Sequence, residues 1–329
     1  MNRASRTIRR FAAALLFSVP LLSLSACGGA AVGLIAGGGI GGTGFSTGAI
    51  IAFGSVIVNG VEFQTTDNTI RKRLDDSPDN IQGRDNEVFQ KGMVIRVHYS
   101  TGDNTALQID FQDDLEGPVS GIDDAAGTFT VLGQRVAFDN ATNFLFEQGA
   151  TLVDNTIVEV SGLYDADGLL HATYIKVEPA GKTTFEIKGF VSGLDTSLQT
   201  FRLGPIPGSA TVTVSYSAAQ LKDLPSGLAN GLYVEVKTQN ASGTLVADSI
   251  EGRTSAANDA PSEGEASVEG FVADLTGNAG AGFDFTLNGI HVHAAPGTDG
   301  IGVVAPNVRV EAEGTVSNGI LNAEKIEPR

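Results

Sequence analysis

Gly168-Leu169-Leu170-His171-Ala172-Thr173-Tyr174-Ile175 is the stretch on which the fold turns. Its frame, Gly-x-x-x-Ala-x-x-Ile, recurs at Gly102/Ala106/Ile109, Gly243/Ala247/Ile250 and Gly319/Ala323/Ile326. Four copies of one pattern, spaced by several tens of residues, mark a chain built from repeated units rather than around one large core. The frame closes each unit, and a Gly-x-Val or Gly-x-Ile opens it: Gly48-Ala49-Ile50, Gly117-Pro118-Val119, Gly189-Phe190-Val191 and Gly270-Phe271-Val272. From opening Gly to closing Ala the spacing is 58, 55, 58 and 53 residues, so the module has nearly constant size.

Inside each module lies an alternating run that ends in Gly: Val56-Ile57-Val58-Asn59-Gly60, Phe129-Thr130-Val131-Leu132-Gly133, Phe201-Arg202-Leu203-Gly204 and Phe285-Thr286-Leu287-Asn288-Gly289. Period-two alternation bounded by turn residues reads as strands in hairpins. A third run, Ile95-Arg96-Val97, Val158-Glu159-Val160, Val234-Glu235-Val236 and Val308-Arg309-Val310, places one charged residue outward between two inward aliphatics. Its mate across the closing turn is the Ala-x-x-Ile strand. There Gly supplies positive φ in loops such as Asp165-Ala166-Asp167-Gly168 and Ser317-Asn318-Gly319, Ala permits close approach of another strand, and Ile fills the core.

No segment beyond the N-terminus has a convincing helical period; residues 218–228, interrupted by Pro225, could supply one turn. Modules of about 55–60 residues are small for independent cores without disulfides or metal. Closing each sheet into a small barrel removes the edges that short open sheets leave exposed.

The N-terminus carries Arg3, Arg6, Arg9 and Arg10 and then an apolar run over residues 11–24, the build of a secretion signal. The run is short for a membrane span, which needs roughly 20 apolar residues. It ends in Leu24-Ser25-Ala26-Cys27, which resembles the lipobox of bacterial lipoproteins. That resemblance implies acylation of Cys27, the only cysteine, and anchoring in the lipid bilayer; Gly28 after it implies the outer membrane. An ordinary cleaved signal that happens to contain a Cys is the alternative. Two or three acyl chains, at about 0.8 kcal/mol per buried methylene, hold a protein firmly. Residues 28–48 contain ten Gly and no charge and read as a tether with a reach of about 25 Å. Within it, Gly39-Ile40-Gly41-Gly42-Thr43-Gly44 matches a dinucleotide-binding fingerprint by letter but lacks the preceding strand and following helix that the fingerprint needs.

The formal charge is −17; removal of residues 1–26, which hold four basic and no acidic residues, leaves −21. Nucleic acid is disfavoured as a partner, because phosphate binding needs concentrated Lys and Arg. The one basic cluster, Arg71-Lys72-Arg73, is followed at once by Asp75, Asp76 and Asp79.

The stretches Gly41-Gly42-Thr43-Gly44, Phe53-Gly54-Ser55-Val56-Ile57-Val58-Asn59-Gly60-Val61 and Lys91-Gly92-Met93-Val94, with Gly117-Pro118-Val119 and the closing frames, resemble bacterial lipoproteins built from the domain-of-unknown-function family 5666. The resemblance covers nearly all of the chain after the signal and implies small, all-β, OB-like barrels exported to the envelope. It supplies no catalytic residues. Module three departs from the pattern at Pro205 and Pro207.

The expected organisation is therefore all-β: a signal peptide (1–26), a lipidated Gly-rich tether (27–47), four tandem OB-like β-barrel modules (48–112, 115–180, 186–252 and 267–329), and a flexible linker (253–266) before the last. The first three modules are expected to form the more compact part and the fourth to move more freely.

Several residue groups invite chemistry. His291-Val292-His293 sets two imidazoles on one strand face, as a metal site could require, but no third His or Cys is near in sequence. Asp165-Ala166-Asp167-Gly168 resembles the start of a calcium loop, yet Lys176 stands where the bidentate Glu belongs, and a plain turn is the simpler reading. The acid pairs Asp113-Asp114 and Asp123-Asp124 could be offered for glycoside hydrolysis; neighbours on extended chain point apart, and turn capping is favoured. His98 and His171 fall in or near closing hairpins of different modules, with no Ser-His-acid grouping. No cofactor, metal or catalytic residue is assigned. The reading favours a non-enzymatic lipoprotein of the cell envelope whose modules bind or scaffold an envelope protein or an oligosaccharide. The alternatives are an envelope hydrolase acting on glycan and a divalent-cation-responsive adhesin.

Overall fold

The computed structural model describes residues 42–75, 79–146, 151–179, 181–209 and 212–329. The expected signal peptide and Cys27 lie outside them. The first module comprises β1 (Thr43–Phe53), β2 (Val56–Val58), β3 (Val61–Phe63), β4 (Ile70–Arg73), a helical turn α1 (Asp85–Val88), β5 (Val94–Ser100) and β6 (Thr105–Phe111). The second has β7 (Leu115–Asp123), β8 (Thr128–Val131), β9 (Gln134–Ala137), β10 (Asn143–Leu145), β11 (Ile157–Tyr164) and β12 (Leu170–Val177). The third has β13 (Phe185–Asp195), β14 (Thr200–Gly204), β15 (Val212–Ser215), β16 (Gln220–Lys222), β17 (Tyr233–Thr238) and β18 (Leu245–Gly252). After α2 (Ala256–Asp259) come β19 (Glu263–Phe271), β20 (Ala273–Asn278), β21 (Gly282–Leu287), β22 (Ile290–Ala294), β23 (Arg309–Ser317) and β24 (Ile320–Pro328).

The pairings close each set of strands on itself. In the second module β7 pairs β8, β8 pairs β9, β9 runs parallel to β12, β12 pairs β11 and β11 returns to β7. β13, β14, β15, β18 and β17 repeat this five-strand circuit. In the first module the parallel closure is a single bridge, Gln64 to Thr105; in residues 263–328 β20 takes over the hairpin with β21, and β22 runs parallel to β24. The fold is thus all-β with barrel closure. Residues 218–228 contain β16 and turns rather than a turn of helix.

The closing frame acquires a sharper meaning. In a regular strand, residues three apart face opposite sides. Yet Ala106 and Ile109, Ala172 and Ile175, Ala247 and Ile250, and Ala323 and Ile326 are all buried in the barrel cores. A β-bulge makes this possible: the register slips after each Ala, leaving Leu107, Thr173, Asp248 and Glu324 as the extra residues. One unpaired residue resets the phase, and both Ala and Ile turn inward. Opposite the bulge, Gly162 and Gly314 leave room for backbone: a Cβ on them would lie 2.3 Å from the His171 carbonyl oxygen and 2.0 Å from that of Asn322. The turn glycine has positive φ in three copies, at Gly168, Gly243 and Gly319; in the first module Asn104 takes the left-handed position instead of Gly102.

The modules do not hang as a string. β1 begins at Thr43, inside the expected tether, and its first half pairs in parallel with β19 through Phe45↔Ala266, Ser46↔Ser267 and Thr47↔Val268. Phe45 is fully buried in the core of the last module. Asn59 reinforces the seam by donating to Ser267 Oγ at 2.8 Å. β7 and β13 meet antiparallel at Leu115↔Ile187, and the second and third modules share one continuous core. Tyr174 of the second module is buried in the core of the first. The expected freedom of the fourth module is therefore corrected: the N-terminal strand stitches it to the first. The expected flexible linker likewise holds α2, capped by Ser255 Oγ accepting from Asn258 N, and its Thr254 carbonyl accepts from Arg96 at 2.9 Å.

Candidate functional site

The third runs of the modules carry charged side chains out of their barrels, but not into water. Arg96, Glu159, Glu235 and Glu311 are all buried, because the outer faces of the barrels turn towards one another. This corrects the expectation of an outward charge. In the last module the equivalent position is Glu311, two residues on from Arg309, since Val310 is the residue opposite Gly270. Each charge meets a partner: Arg96 reaches Asp259 at 3.4 Å, Glu159 meets Arg73 at 3.2 Å, Glu235 meets Arg253 at 2.7 Å, and Glu311 pairs with Arg329. Of the basic run, Arg73 makes this contact and Arg71 is bound to Asp85 at 2.7 Å within the first module.

Lys188 is the densest node. Its side chain is 1% exposed and contacts Asp113, Asp75 at 3.2 Å and Glu186 at 3.8 Å, joining the third module to the first and to the link between the first two. Burial favours a neutral amine, but the surrounding carboxylates outweigh it and hold the Lys188 pKa well above normal. Burial drives Asp113 the other way, well above the carboxylate range, helped by its neighbour Asp75 and opposed by Lys188. Asp75 also suffers from burial, yet Lys188 and hydrogen bonds from Asp113 and Glu235 bring it down to about 2. Burial and the Lys188 charge thus pull the two carboxyls apart, Asp75 downward and Asp113 upward.

Next to this node lies a cavity of about 520 Å³. Every module contributes to its wall: Arg96, Asp110 and Gln112 from the first, Tyr164 and Asp165 from the second, Phe190, Pro205, Pro207 and Tyr233 from the third, and Phe271, Asn288 and His291 from the last. The prolines that break the pattern of module three therefore sit on this wall. Three lining residues, Asp110, Gln112 and Tyr164, each hold a buried polar side-chain atom without a hydrogen-bond partner. Such atoms are uncommon in folded proteins, and these three give the cavity wall polar groups free to bind. Asp114 is at the wall as well; burial raises its carboxyl to about 7, against the Gly162 N–H at 2.9 Å and the charge of Lys188. A second hollow of about 710 Å³ beside α1 is confined to the first module, and its Arg71 and Asp85 already satisfy one another.

The residues singled out in the sequence fall in different places. Asp123 caps a turn by accepting from Ala125 N and Ala126 N at 3.0 Å. Asp113 and Asp114 do not cap turns, which corrects that reading: they occupy the junction between modules and line the cavity. Asp165 accepts from Asp167 N and Leu169 N and meets His171 Nε2 at 3.1 Å, and the His171 ring lies 4.3 Å from that of Phe271. His293 pairs with Asp284 at 2.7 Å, whereas its neighbour two residues back, His291, reaches the cavity. Among the described residues, neither belongs to a group of three metal-binding donors. Gly42 and Gly44 of the dinucleotide-like fingerprint lead into and lie on β1, with no helix after them. The role of Arg96, Gln112, Tyr164 and Tyr233 was missed in the sequence, for no local pattern distinguishes an outer face that meets another barrel from one that meets water.

The sequence pattern of DUF5666, a domain of unknown function, matches residues 47–110, 116–176 and 188–251. These segments span more than half of the chain, which belongs to that family. The fourth module lies outside the matched segments although its strand pairing follows the same circuit. Comparison with proteins of curated function yields no match. No helix among the described residues is long and apolar enough to cross a membrane.

Proposed function

We propose that the chain is a non-enzymatic, lipid-anchored binding protein of the bacterial envelope whose modules jointly enclose one site for a short oligosaccharide. The carrying observation is the shared cavity, whose size falls in the range of about 300–1,000 Å³ usual for ligand sites. Its wall alternates aromatic rings with an amide, carboxyls and a guanidinium, a mixture suited to apolar sugar faces and their hydroxyls. The unpaired atoms of Asp110, Gln112 and Tyr164 support a polar occupant. Anchoring through Cys27 rests on the lipobox alone, as does assignment to the outer membrane. A panel of envelope and host glycans titrated against the purified chain tests the binding reading: micromolar binding weakened at least tenfold by Tyr164→Ala or Phe190→Ala supports it. Binding of no glycan, or binding that both variants leave unchanged, overturns it.

One observation favours a glycan hydrolase as the second reading: the Asp114 carboxyl, at about 7, has the acidity of a general acid near neutral pH. Turnover of any bound oligosaccharide that disappears in Asp114→Asn would establish it in place of simple binding.

A further inference from the structure

At the edge of the cavity, three donors from distant parts of the chain converge. His98 on β5, Asp110 on β6 and Asp259 at the end of α2 each present a ligand atom within 4.8 Å of the others. We infer that His98, Asp110 and Asp259 form a binding site for one divalent transition-metal ion, of which zinc is the best fit.

The arrangement of Asp110 is the first reason. The residue is 5% exposed, and Gln108 Nε2 donates to its Oδ2 at 2.6 Å, which fixes the carboxylate and leaves Oδ1 buried with no partner. A neighbouring amide that holds one oxygen and aims the other is the arrangement found around metal-binding carboxylates. The second reason is spacing. Ligands about 2.1 Å from a tetrahedral zinc lie roughly 3.4 Å apart, and His98 Nε2 lies 3.3 Å from Asp259 Oδ2. One imidazole and two carboxylates leave a fourth position open, as in zinc sites with three protein ligands. Arg96 and Lys72 both lie opposite Asp110 across strand pairs, and Arg96 Nε stands 3.4 Å from the same Asp259 oxygen, so an entering cation replaces Arg96 at Asp259 while Arg96 stays tied to the Thr254 carbonyl.

The other triple, Asp75, Asp113 and Glu186, is not comparable, since Lys188 already occupies its centre. Nor is the His291 and His293 pair, which belongs to no group of three converging donors among the described residues.

The site joins the first module to the segment between the third and fourth, so metal should brace that junction. The test is zinc titration of the metal-stripped chain by calorimetry, with cobalt substitution read by its visible absorption. One equivalent of zinc binding at micromolar affinity or better, a higher melting temperature with zinc, and tetrahedral cobalt bands are expected. His98→Ala and Asp259→Asn should each weaken binding at least tenfold, and His293→Ala should not. Both altered side chains are partly exposed, and circular dichroism of each variant verifies the fold. Absence of a one-to-one site in the parent chain, or binding that survives in both variants, overturns the inference. Neither result depends on any glycan.

Discussion

Replacement of Lys188 by Met tests whether the junction charges hold the modules together. The ammonium sits at 1% exposure against Asp113, Asp75 and Glu186, and Met fills similar volume without charge. Removal of one partner from a buried ion pair leaves charge uncompensated and destabilises by about 3–5 kcal/mol. For a chain of this size about 1.6 °C of melting temperature accompanies each kcal/mol, so a fall of about 5–8 °C is expected. The loss should depend on pH in a defined sense. In the parent chain Asp75 is held at about 2 chiefly against burial by Lys188; without Lys188 burial raises its pKa above the unfolded value. A raised carboxyl pKa means that the folded state binds more protons, so stability is retained below the unfolded pKa and lost as pH rises through the folded one. The deficit should therefore be greater at pH 8 than at pH 5. The double variant Lys188→Met/Asp113→Leu, which removes a carboxyl as well, should recover part of it. Urea unfolding followed by circular dichroism at both pH values is the assay. A loss below about 1 kcal/mol at pH 8, or equal losses at both pH values, would refute the reasoning.

Asp114→Asn should stabilise the chain at pH 8, by about 4 kcal/mol at most for a carboxyl raised from 3.8 to about 7. The parent stability falls as pH climbs from 4 through about 7, and urea midpoints against pH should show that slope flattened in the variant. Phe45→Ala empties a fully buried position in the last module's core and should cost about 3–5 kcal/mol. Hydrogen exchange should then quicken in β19 and β23 more than in β14 and β15; uniform quickening would contradict the stitching role of β1. Deletion of the exposed bulge residue Asp248 should destabilise by about 2–3 kcal/mol or more, because one residue of slip turns Ala247 or Ile250 outward, whereas Asp248→Ala should stay within about 0.5 kcal/mol. Similar melting temperatures for the two would count against the bulge.

Much of the module was legible because its causes are local. Turn glycines at 168, 243 and 319 and alternation around Phe129 and Phe285 depend on neighbouring residues and on contacts a few tens of residues apart. The bulge was half legible: a three-residue step between two core residues is inconsistent with a plain strand, and that inconsistency was the signal. The candidate site was scarcely legible. Asp113 and Asp114 look like turn acids until Lys188 is set beside them, and His98 resembles any surface histidine until Asp259 arrives.

The amino-acid sequence by itself determined the repeat, the β character and the barrel cores, since hairpin pairing and side-chain alternation act over short stretches of chain. Only the tertiary structure decided which barrel faces meet. The parallel pairing of Phe45 with Ala266 joins residues 221 positions apart, and no local pattern encodes it. Long-range packing of this kind buries Arg96, Glu159, Glu235 and Glu311 and assembles the shared cavity and the His98, Asp110 and Asp259 cluster. A charged side chain leaving a barrel obeys the same strand geometry whether it meets water or another module; its surroundings are set by the distant segment that packs there.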